Sequence, residues 1–195
     1  PDVTALTAVR PTTHFGGLQV EFPSLVATGG ALPYTSEADY RAALGIIRTI
    51  PKVFDNAIER FREGQASGVV DSRLTITNMI AQIDAILAQP IEESPFTSPI
   101  REFPAAVPPA ARPQIAEAYR TVVRDAIYPS YRKLRTYLHD EYLPDARKQV
   151  GISAMKGGAG LYRRLAQSHT TLPLEPEAVH QLGLTEVARI QREME

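Results

Sequence analysis

The 195-residue sequence contains no cysteine and no tryptophan. The first absence excludes a disulfide framework, a thiol nucleophile and a thiolate zinc site. It leaves the compartment open, since such a chain suits the cytosol or an oxidising space where crosslinks are not needed. An excess of one charge sign is also missing: 21 basic residues face 22 acidic ones, for a net charge of −1. Proteins that coat nucleic acid or anionic lipid carry a strong basic excess, so neither class of partner fits. No apolar run approaches the ~18 residues of a membrane span. The opening Pro1-Asp2-Val3-Thr4 has neither an initiator methionine nor a basic-then-apolar signal peptide. We expect a start removed by processing or lost upstream.

What is present is ordinary for a globular chain: 44% hydrophobic and 22% charged residues. A chain of this mass hides roughly 70% of its unfolded surface, enough for a sizeable core. Apolar residues recur with helical spacing and nowhere alternate as a strand would. The expected fold is therefore all-α. Residues 1–35 read as an irregular surface segment, because Gly16-Gly17 and Gly29-Gly30 sit among Pro11, Pro23 and Pro33. Residues 36–89 read as a three-helix segment. Ser36 and Asp39 form a capping-box pair at its start, and Ile76, Met79, Ile80, Ile83, Ile86 and Leu87 make a clean stripe in its third helix, capped by Asp71 or Ser72. Residues 90–112 are a proline-rich loop. Residues 113–195 hold a long helix, kinked near Pro129, and two C-terminal helices. That makes about six helices in one incomplete domain. The last helix starts at Pro176, and Val179, Leu182, Val187, Ile190 and Met194 mark its expected buried face. It carries no stop signal before Glu195.

Candidate chemistry is sparse. His14, His139, His169 and His180 show no pair one helical turn apart, so they read as capping or surface residues and no metal site is expected from this chain alone. There is no Gly-x-Ser-x-Gly elbow, and Asp140-Glu141 reads as a solvated helix face. Tyr119, Tyr128, Tyr131, Tyr137 and Tyr142 alternate with basic residues along the long helix. With acids close by, this reads as packing against neighbouring helices rather than a base-stacking surface. Gly157-Gly158-Ala159-Gly160 precedes a helix. It reads either as a plain turn or as a set of free amides able to hold a phosphate or carboxylate.

One resemblance extends over nearly the whole chain. Gly157 to Tyr162, His169-Thr170-Thr171 and above all the run from Pro176 to Ile190 with Glu193-Met194 are similar to the bacterial domain-of-unknown-function family eight-eight-five, grouped with gluzincin-like zinc metallopeptidases. Ser36 to Tyr40, Arg62-Glu63-Gly64 and the stretch from Tyr131 to Arg147 resemble the same family more loosely. Leu172, Glu175 and Met155-Lys156 depart from its pattern.

The resemblance implies a large, almost all-helical peptidase-like enzyme whose His-Glu zinc helix lies later than the segment seen here. On that implication the chain is an internal piece, a scaffold and one wall of a substrate cleft. Its partners are the remainder of the parent polypeptide and a peptide-like substrate. No catalytic residue and no cofactor are expected in the piece, and zinc is expected in the intact parent. Gly157, Gly158 and Gly160 would hold a substrate carboxylate, and Tyr162 would donate to a substrate oxygen. A periplasmic or secreted parent fits. The competing expectation is a stand-alone helical binding or regulatory module.

Overall fold

Two short helices, α1 (Val3–Ala8) and α2 (Leu18–Val26), occupy the segment expected to be irregular. The computed structural model describes residues 3–195, so Pro1 and Asp2 of that expected segment lie outside the described residues. Pro23, one of the prolines that with the paired glycines pointed to an irregular segment, sits inside α2. A proline there removes the amide that would bond to the carbonyl of Gln19, four residues back. That carbonyl is satisfied from elsewhere: the Tyr131 hydroxyl donates to it at 3.1 Å. The preceding loop is held by a buried network in which Thr12 donates to Gln19, and Gln19 donates to Gln82.

Helix α3 (Glu37–Ile47) begins with the expected capping box. Asp39 takes the Ser36 amide, and its own amide bonds the Ser36 hydroxyl. Helix α4 (Ile50–Ser67) ends at Gly68, whose φ of 76° places it in the left-handed region that glycine adopts without strain. Helix α5 (Arg73–Leu87) is capped by Ser72. The proline-rich stretch is not bare loop. It folds into two short 3₁₀ turns, Ile91–Glu93 and Pro95–Ile100, that bury Phe96 and Ile100.

The long helix runs as α6 (Arg112–Val122), a π turn (Val123–Ile127), α7 (Tyr128–Thr136), a second π turn (Tyr137–Tyr142) and α8 (Leu143–Asp145). Pro129 does not end it. The π turn ahead of the proline pairs the Tyr128 amide with the carbonyl of Val123, five residues back, and the Leu143 amide ahead of Pro144 likewise reaches Leu138. The buried positions Ile115, Tyr119, Val123, Ile127, Tyr131, Leu134, Leu138 and Tyr142 advance by four residues at nearly every step. An α-helix turns every 3.6 residues, so the stripe would drift, and the π turns absorb the excess.

This helix is the spine of the main core, against which α3, α4 and α5 pack their apolar faces. Seven of the eight tyrosines sit in or beside that core, each with its hydroxyl hydrogen-bonded within the protein. Tyr40 reaches Pro99, Tyr119 reaches Tyr40, Tyr128 reaches Gln89, and Tyr137 reaches the Gln65 side chain. A buried tyrosine with a satisfied hydroxyl supplies apolar area and fixes register together.

Beyond Arg147 the chain forms a 3₁₀ turn (Ile152–Ala154), then α9 (Gly158–Thr170) and α10 (Pro176–Met194). Leu161 and Met155 join Leu6 of α1 and Val69 of the α4–α5 link in a second, smaller core. Helix α10 has the expected bounds but not the expected burial. It buries no residue, and Leu182 and Val187 are 60% and 54% exposed. The pattern is amphipathic, yet among the described residues no element buries the apolar side, and α10 touches the rest mainly through α9.

Candidate functional site

The four residues singled out by sequence come together at the start of α9. The 3₁₀ turn ends with the Met155 amide bonded to Ile152, and the Gly158 amide then turns onto Met155 at 2.8 Å. Gly157 caps the helix with φ 75° and ψ 0°, a conformation that disfavours side chains. Gly158 is required for space: a Cβ there would lie 1.7 Å from the Ile152 carbonyl oxygen. Gly160 has no such reason, since a Cβ would meet nothing within 4 Å. The plain-turn reading therefore accounts for two of the three glycines.

The Gly157 carbonyl accepts from Leu161, which starts the helical ladder. The Ala159 and Gly160 amides precede that first bond and point out of the helix end. The helix dipole puts partial positive charge there. Tyr162 stands 49% exposed, and alone among the tyrosines it has no hydrogen-bond partner among the described residues. Helical side chains lean toward the N-terminus, which inclines Tyr162 toward that end of α9. Free amides and a phenol on one exposed end can hold a carboxylate or polarise a carbonyl. Nearby, Arg163 pairs with Glu175 and ties α9 to the approach of α10.

Burial shapes the other phenols differently. It raises Tyr34 to about 12 and pushes Tyr119, Tyr131, Tyr137 and Tyr142 well above the usual tyrosine value. These hydroxyls are neutral structural ties.

Among the described residues no three of His, Cys, Asp or Glu converge. His139 contacts Asp140 at 2.5 Å, and the His14 ring lies against Phe15 at a tilt of 38°.

Sequence reasoning missed a trough between α3 and α6. Tyr40, Leu44 and Arg48 face Gln114, Ala118 and Tyr119 across about 250 Å³. The trough continues past Thr121, Val122 and Asp125 into an open groove of about 590 Å³. Gln114, Ala118, Thr121 and Asp125 recur at helical spacing, a signal that reads as a solvated face. No residue of α9 lines either groove.

A family model described as a bacterial protein of unknown function (DUF885) matches residues 5–195. No curated protein matches the chain. Among solved structures, the chain is similar to a protein described as a candidate lipoprotein from Colwellia psychrerythraea, with a TM-score of 0.85 and 22% identity. The match covers 92% of this chain and 31% of that one, so the chain spans under a third of its structural neighbour. At that identity the likeness establishes the helical fold.

Proposed function

Because the chain belongs to the bacterial family of unknown function DUF885, we propose that it is a scaffold and one wall of a substrate cleft in a larger zinc-dependent, peptidase-like hydrolase. It holds no catalytic centre of its own. The observation that carries this reading is the bare apolar stripe of α10, with Val179, Leu182, Val187 and Ile190 each 41–60% exposed. Among the described residues nothing buries the apolar side of this nineteen-residue helix; a contiguous face of this kind marks an interaction surface. Further polypeptide of the same protein is the occupant that fits a fold neighbour three times as long.

In this arrangement the end of α9 faces the substrate. The Ala159 and Gly160 amides hold a carboxylate of a peptide-like substrate, and Tyr162 donates to an oxygen that gains charge. Bound in the intact enzyme, zinc would supply an activated water, with its ligands drawn from further polypeptide of the same protein. A location outside the cytoplasm fits the description of the structural neighbour. No helix among the described residues is long and apolar enough to cross a membrane.

The absence of native cysteine makes the test direct. Val187→Cys in the 195-residue chain should react with a maleimide at the rate of an unfolded peptide. In the polypeptide extended through its reading frame it should be protected at least tenfold. Equal rates in both overturn the reading and favour a stand-alone helical module, which the closed main core would also support. In the extended protein, Tyr162→Phe should lower kcat/KM on peptide substrates roughly 10–100-fold, as loss of an oxyanion donor does. The unfolding midpoint should not move.

A further inference from the structure

Asp71 is a fully buried carboxylate, 0% exposed, at a junction where both connections to the small core touch the main body. Arg10 follows α1 and donates its Nε to Asp71 Oδ1 at 2.7 Å, with a second bond from the same guanidinium. Arg147, at the start of the path to α9, makes a parallel bridge with Ser72: its amide bonds the Asp71 carbonyl at 3.1 Å, and the Arg73 amide bonds its carbonyl at 2.8 Å. The Arg147 side chain spans the same junction, from the Val70 carbonyl at 3.1 Å to the Gly151 carbonyl at 2.7 Å. Tyr142 closes the inner side, its hydroxyl accepting from the Asp71 amide at 2.9 Å. The second carboxylate oxygen, Oδ2, is buried without a partner.

A buried charge held through one oxygen is a poor way to stabilise a core, because desolvation offsets most of the attraction. It is a good way to specify one arrangement of two bodies. The small core is separate from the large one, and the substantial contacts of α9 are with α1, the Ile152–Ala154 turn and α10. We propose that Asp71 is a latch that fixes the α1–α9 block, and with it the exposed end of α9, against the main body through Arg10. This conclusion concerns how the block is held and stands whether or not that end contacts a substrate. Val69 and the bond from Lys156 to the Ser67 carbonyl hold the block more loosely when the latch is open.

The test is hydrogen exchange followed by mass spectrometry on the 195-residue chain and its Asp71→Asn variant, which keeps the shape and removes the charge. Exchange in α1 and α9 should speed up at least tenfold, while the slow amides of α4, α5 and α7 keep their wild-type rates. Unchanged exchange in α1 and α9, or equal acceleration through α4 and α5, overturns the proposal. If Asp71→Asn does not fold, Arg10→Gln alters the more exposed partner and carries the same expectation and the same two overturning results.

Discussion

Glycine gives the clearest contrast at the scale of single residues. Gly158 and Gly160 are two positions apart in one helix turn, yet only the first is confined. Gly158→Ala should cost roughly 1–3 kcal/mol or more, because its Cβ would collide with the Ile152 backbone. Gly160→Ala should be neutral or stabilising by up to about 1 kcal/mol, since alanine is the better helix former. Urea midpoints of the two variants check both signs. A loss of ligand binding on Gly160→Ala would then have no structural cause. The sequence showed the glycine cluster but not this division, which depends on where the Ile152 carbonyl lies. It also showed Tyr162 without showing that the remaining tyrosines are spoken for.

At the scale of elements, local signals were readable where the partner lies within a few residues. The Ser36–Asp39 box, the Ser72 cap and the stripe of α5 through Ile83 stand where spacing placed them, with Ile86 and Leu87 half-buried. Readings failed where a distant group decides. Helix α2 survives Pro23 because Tyr131 donates to the carbonyl that the proline leaves free. Tyr131→Phe should therefore cost about 0.5–1.5 kcal/mol. Faster amide exchange confined to α2 and its neighbours would identify the loss. In the long helix the π turn brings Ile127 into the core and leaves Ala126 half-buried beside it. For α10, amphipathic spacing gave the helix correctly. Burial requires a partner, and none of the described residues supplies one.

For the whole molecule, the buried phenols set an alkaline limit. Tyr34, Tyr119, Tyr131, Tyr137 and Tyr142 all have folded-state values raised by burial above the unfolded value near 10. The unfolded chain releases those protons first. Their contribution to stability is therefore full below about pH 10 and is lost as pH climbs through the folded-state values. Denaturant midpoints should fall steeply above pH 10, and phenolate absorbance should rise together with unfolding rather than before it. The spine adds a different sensitivity. Each π turn inserts about one residue beyond the α count, so everything after it is timed by that insertion. Removing a single residue from Val123–Ile127 would leave a regular helix and rotate each later side chain by about 100°. Tyr131, Leu134 and Leu138 would swing out of the core together. One lost codon in that turn would act as a frameshift in space, with every downstream residue correct in kind and wrong in direction.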